Sequence, residues 1–268
     1  MVGSLLLRGM LVGAVAGLLA FGFARAFGEP EIDRAISFEE MTKAAPHAHG
    51  EAHTHGDAHT HSETQAREAA EPELVSRTTQ SGIGLATGVL VYGAAVGGLF
   101  ALVFAFAYGR VGRLGPRATA ALLALGAYVA VVLVPSIKYP ANPPAIGHAD
   151  TIGSRTALFF LMILISVFAL ALAVTLARRL AAQFGAWNAT ILAGAAFVVV
   201  IAVAEYALPA INEVPDQFSA AVLWRFRVAS LGIHAVMWTT IGLLFGALTE
   251  RAMAAQFGQP MTARPLAR

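Results

Sequence analysis

Cysteine is absent from the 268-residue chain. Disulfide scaffolds, thiolate metal sites and thiol redox chemistry are therefore excluded. Charge is scarce too: Asp, Glu, Lys and Arg make up 13% of the residues, against about 25% in an ordinary soluble domain. Lysine is nearly missing. Only Lys43 and Lys138 occur, and neither stands before Ser or Thr. The chain thus lacks a G-x-x-x-x-G-K-[ST] phosphate loop and cannot be the ATPase of a pump. H-E-x-x-H and G-x-S-x-G are also absent, which leaves zinc-protease and serine-hydrolase chemistry unsupported. The net charge of +2 is too slight to argue for a nucleic-acid partner. The expected class is a non-enzyme.

What the chain has in quantity is apolar mass, 57% of its residues. Long gaps between charged residues divide that mass. Uncharged stretches of 16, 32, 20, 22, 25 and 22 residues follow Arg8, Arg77, Arg117, Arg155, Arg179 and Arg227. A spanning helix needs about 20 mostly apolar residues, so five gaps qualify outright. The first also qualifies once Arg8 and Arg25 snorkel, which extends it to Leu5–Phe27. The runs are continuous rather than alternating, which favours helices over a barrel. The expected fold is all-α, a polytopic membrane bundle of six transmembrane helices with a disordered His-rich outer loop. Its units are a first helix over 1–27, an acidic His-rich segment over 28–81, a five-helix core over 82–254 and a tail over 255–268.

The first segment has a rival reading. A basic start, an apolar run and Ala24-Arg25-Ala26 resemble a signal peptide with its cleavage site. Against that, Gly9, Gly13 and Gly17 share one helix face, which suits close helix packing, so the helix is read as retained. Gly84/Gly88, Gly93/Gly97 and Gly242/Gly246 are further small-residue pairs.

Arginines in short loops set the orientation. Arg110, Arg113 and Arg117 mark one cytoplasmic loop, and Arg178 and Arg179 another. Arg251, Arg264 and Arg268 mark a cytoplasmic tail. Both termini then lie on the cytoplasmic side of the bacterial inner membrane, and 28–81, 138–155 and 206–227 lie outside it. Arg225 and Arg227 fit least well, because they fall at an outer end. Tyr139 and Tyr206 at outer ends, with Tyr108 and Trp187 at inner ends, fit an interfacial aromatic belt.

Segment 28–81 holds eleven of the 16 acids and six of the eight histidines. Its centre repeats every six residues: His47, His49 and Glu51; His53, His55 and Asp57; His59, His61 and Glu63. In an extended chain residues i and i+2 point the same way, so each H-x-H pair offers two imidazoles to one ion. Imidazole with a nearby carboxylate suits a divalent transition metal. The plain alternative is a solvated low-complexity spacer.

Five further polar residues fall in the outer half and form a candidate ion path: His148, His234, Glu205, Glu213 and Asp216. His234 stands inside the sixth span, where an ionisable group is a functional candidate. Its alternative role is a helix–helix hydrogen bond. His148 follows a proline-stiffened loop, Lys138-Tyr139-Pro140-Ala141-Asn142-Pro143-Pro144, which is either a pore-mouth scaffold or a rigid connector. The carboxylates make a cation funnel, or separately solvated residues and ion pairs with Arg225 or Arg227.

The opening Leu7-Arg8-Gly9-Met10-Leu11-Val12-Gly13, the run Phe21 to Arg25, Gly28-Glu29-Pro30 and Asp33-Arg34-Ala35-Ile36 carry a resemblance. So do the Lys138 to Pro144 loop, Leu208-Pro209, Asn212-Glu213-Val214-Pro215 and Leu223 to Gly232. Over essentially the whole chain the sequence is similar to the CbtA family of cobalt transporter proteins. The resemblance implies a multi-pass membrane protein that imports cobalt for cobalamin synthesis beside a small single-span histidine-bearing partner, CbtB. Members are described with one span fewer than the count above. The reading is thus a permease subunit for a divalent transition metal, cobalt first, with nickel or zinc as other cargoes. Its rivals are a non-conducting metal sensor or scaffold, and an efflux protein. A lipid bilayer surrounds it, and a homo-oligomer is compatible with the sequence.

Overall fold

The structure is a computed structural model that describes residues 2–44, 76–110, 112 and 114–257. The repeat from His47 to His61 lies outside the described residues, as does everything after residue 257. Among the described residues there are helices and loops but no strands.

Helix α1 spans Val2–Phe23. It passes through one π-turn, Ala24–Gly28, and continues as α2, Glu29–Ala44. Helix α3 covers Arg77–Ala107 and α4 covers Pro116–Lys138. Helix α5 covers Ile152–Ala207 and α6 covers Ala220–Phe257. Five of these rods, α1–α2 counted as one, are long and apolar enough to cross a membrane. Only 22 to 33% of the residues in their apolar stretches are buried within the protein. Leu11, Val91, Phe106, Phe168 and Val198 are each more than 60% exposed. Apolar surface on that scale suits a lipid surround and not water.

Where the sequence led to six separate spans, five long helices stand, because two expected spans share α5. A straight helix of 56 residues would be about 84 Å long, nearly three times the bilayer's hydrocarbon core. Gly185 breaks it, with φ 76° and ψ 160°, a backbone conformation open to glycine and costly for other residues. The two arms fold back on each other. Met162 and Ala169 of the first pack in one cluster with Ile201 and Ala204 of the second. Arg155, near the start of α5, reaches Glu213 beyond its end at 3.5 Å. That contact is out of reach for an unbroken rod.

Glycine sets the closest packing. Gly9, Gly13 and Gly17 of α1 lie against Gly97, Gly93 and Val89 of α3, an antiparallel register. A Cβ on Gly13 would collide with the carbonyl of Gly93, and one on Gly9 with that of Gly97. The face expected from sequence is therefore the α1–α3 contact itself. Gly242 and Gly246 admit α4 in the same way, meeting Ala124, Ala120 and Arg117. The Gly84/Gly88 pair makes no such contact; Gly88 faces open space. Phe100, Phe104, Trp238 and Phe245 fill the centre, with Phe100 and Phe245 edge to face at 5.4 Å. In α4, a π-turn over Tyr128–Leu133 precedes Pro135. Proline has no N–H and crowds the preceding turn, and a widened turn accommodates that.

One end of the bundle is capped. The sequence assigned everything from residue 28 to a polar loop, but α1 continues into helix through Ala44. Ala35 of α2 is fully buried against Ile146 and Phe218, which come from the loops after α4 and α5. Phe38 meets Phe218 edge to face at 5.1 Å. Arg77 at the foot of α3 ties this cap down, reaching Glu29 at 2.6 Å and Asp33 at 3.1 Å. At the opposite end Arg117 pairs with Glu250 at 2.6 Å.

Candidate functional site

Beneath the cap lies a cavity of about 500 Å³. Its walls come from the last turns of α4, the proline loop, the first turns of α5, the loop after α5 and the first four turns of α6. The polar lining is Ser136, Tyr139, Asn142, Arg155, Thr156, Asn212, Glu213, Arg227, Ser230 and His234.

The proline loop is non-helical from Tyr139 to His148. Ile146 anchors it in the cap cluster. Gly147 has φ +110°, and a Cβ there would run into the guanidinium of Arg155. Only glycine lets the loop pass that close. Tyr139 is buried rather than interfacial, and its hydroxyl donates to the carbonyl of Pro209 at 2.8 Å. Its pKa is pushed up by burial and then by the nearby Glu205 carboxylate. Tyr206, by contrast, is 94% exposed and Trp187 78%, as a lipid-facing belt requires.

Of the five candidate path residues, two line the cavity: Glu213 and His234. His234 sits about four turns into α6, two turns beyond Arg227, and its Nδ1 lies 2.9 Å from the carbonyl of Ser230. A carbonyl can only accept, so Nδ1 carries a proton, and in the neutral ring Nε2 is then the lone-pair donor. That is the nitrogen a metal or a ligand N–H would use. Glu213 is held from several sides. Its carboxylate accepts the backbone N–H of His148 at 3.0 Å and faces Arg155 at 3.5 Å. Its pKa is held below the usual 4.5, first by a hydrogen bond from the Thr151 side chain, then by the His148 N–H and Arg155, against an opposing effect of burial. Thr151 has one hydroxyl proton to give and also lies 2.9 Å from the His148 carbonyl.

The other three stand apart. His148 contributes its backbone, while its side chain is outside the cavity and exposed. Glu205 sits behind Tyr139, where Lys138 donates to its backbone carbonyl, and its Oε1 is buried without a partner. Asp216 is exposed on the loop surface. Among the described residues, no three His, Asp or Glu side chains cluster as a metal site.

Arginine is what sequence reasoning missed. Arg155 served only to bound a span, and Arg227 was the misfit at an outer end. Both line the cavity, and among the described residues Arg227 pairs with no carboxylate; its Nη2 donates to Asn142 Oδ1 at 3.0 Å. The misfit against the charge rule was the available signal.

Long lipid-compatible helices, glycine-tight crossings and a polar cavity at one end define a polytopic α-helical membrane protein. The profile of one family matches residues 2–250, and the chain belongs to that family, CbtA, described as "Probable cobalt transporter subunit (CbtA)". Being one subunit of such a transporter, it acts with a partner. No curated protein and no solved structure matches the chain.

Proposed function

We propose that this chain is the membrane permease subunit that imports a divalent transition metal, cobalt first, to supply cobalamin synthesis. The capped end faces outward from a bacterial inner membrane, and both termini face the cytoplasm. The His47–His61 repeat, joined to the capped end at both of its flanks, captures the ion. Glu213 and His234 then offer oxygen and nitrogen ligands on the inward path. The observation that carries this reading is the cavity, which brings those two residues together beneath the cap. A bare divalent ion cannot cross hydrocarbon, so a lined path is required. The membrane potential favours inward movement of two charges by about 4.6 kcal/mol at ~100 mV, so no ATP is needed. The partner is a small single-span protein bearing its own histidines.

The arginine lining favours one rival, a metal-binding scaffold that conducts nothing. Cobalt uptake into proteoliposomes of the purified chain, with and without the partner, separates the two. Mass-spectrometric uptake above empty liposomes supports the permease. Intact cobalt binding with no uptake under either condition sinks it.

A further inference from the structure

The lining of the capped cavity is a poor match to a bare cation. Two guanidiniums face one carboxylate, and these three groups carry a net charge of +1. The one carboxylate, Glu213, is already engaged by Arg155 and by the N–H of His148. Among the described residues Arg227 has no acid partner. A guanidinium carries five N–H donors, and the hydrogen bond Arg227 makes is one, to Asn142. Its Nε is buried with no acceptor among the described residues, while the Nε of Arg155 has only the Glu213 carboxylate, at 3.5 Å and short of a hydrogen bond. A buried, unpartnered donor on a fixed positive charge is costly unless something accepts from it. Because Asn142 gives its oxygen to Arg227, its amide hydrogens are further donors at the same wall. The volume, about 500 Å³, is that of a small-molecule site.

We propose that this cavity is an oxyanion site, taking a carboxylate or phosphate group between Arg227 and Arg155. The planar guanidinium fork matches both groups, which a lysine point charge would not. Free carboxylates, anionic metal chelates and the phosphate of an acidic lipid share this chemistry. The site goes beyond the transport reading and stands without it.

The test uses the full-length protein in phosphatidylcholine nanodiscs, with citrate, cobalt citrate and inorganic phosphate titrated by calorimetry. At least one of these anions binds the unaltered chain. Asn142→Asp sets a carboxylate against Arg227 with almost no change in shape. It weakens binding about tenfold or more, the loss of one charge-assisted bond, and leaves the melting temperature unchanged or raised. Arg227→Gln weakens binding likewise. Adding phosphatidylglycerol to the nanodiscs distinguishes sources that both uphold the site: displaced citrate identifies lipid phosphate as the occupant, and undisturbed citrate a soluble anion. Failure of all three probes to bind the unaltered chain overturns the proposal, and so does equal binding by Asn142→Asp. Cobalt uptake is a separate readout, so either idea can fail while the other survives.

Discussion

Arg227 donates to the side-chain oxygen of Asn142 at 3.0 Å, across 85 residues of chain. The bond joins the proline loop to the first turns of α6, and it closes one wall of the cavity. Asn142→Ala removes the only acceptor that Arg227 has among the described residues and leaves a half-buried cation unbonded. The expected cost is about 1.5–3 kcal/mol, the range for a hydrogen bond to a charged group. Thermal unfolding in detergent checks it. A melting temperature equal to that of the unaltered chain would mean that water replaces Asn142 fully.

Acid should loosen the cap through Glu213. Its carboxyl is held below the usual 4.5 by the Thr151 hydroxyl, the His148 N–H and Arg155. A depressed carboxylate contributes stability that is complete above its unfolded pKa and is lost as pH falls through the folded value. The difference in melting temperature between the unaltered chain and Glu213→Gln should therefore be constant above pH 4.5 and shrink below it. A gap that does not change into acid would show that the ionised form has no advantage in the fold.

The α1–α3 crossing should tolerate no side chain at its centre. Gly13→Ala puts a methyl into the Gly93 carbonyl, and overpacking of this kind costs about 1–3 kcal/mol. Gly88→Ala is the control: nothing lies near its would-be Cβ, and a helical Gly→Ala gains about 0.5–1 kcal/mol. Opposite shifts in melting temperature are expected for the two variants. Equal shifts would mean the crossing is looser than its geometry.

Much of the fold was legible because charge marks the ends of membrane helices, and the glycine triplet of α1 showed which face would be packed. The hairpin of α5 was legible as two spans, while the break at one residue, Gly185, was not, since an isolated glycine in a membrane helix carries no turn signature of its own. Residues 29–44 misled for a different reason. Their polarity reads as loop, yet Ala35 and Phe38 need only one narrow apolar stripe to seat a helix on the cap, with Glu29 neutralised by Arg77. At the site, side-chain type pointed to Glu213 and His234. It could not show that Arg155 and Arg227 join them, because arginine near a membrane surface is usually solvated or snorkelling.

Removing the histidine repeat should separate capture from passage. The segment 47–61 is rich in small and polar residues and offers almost nothing to bury, so its deletion should leave the melting temperature of the bundle unchanged. Uptake at scarce cobalt should fall, and uptake at saturating cobalt should persist. Loss of flux at saturating metal would move the repeat from capture into the translocation step.

His234 should behave differently from the repeat. It lines the cavity, about four turns inside α6, with Nδ1 engaged by the Ser230 carbonyl and Nε2 left to bind. His234→Ala removes both the nitrogen and the ring, and the expected result is lower flux at every cobalt concentration. His234→Gln offers a side-chain amide that is a poorer metal ligand than imidazole, so it should not restore flux, although it does restore melting temperature if polarity and bulk were all that mattered there. A metal-binding role therefore predicts two variants with low flux whatever their stability. A purely structural role predicts that flux follows melting temperature, and Gln returning both to the level of the unaltered chain would decide for it.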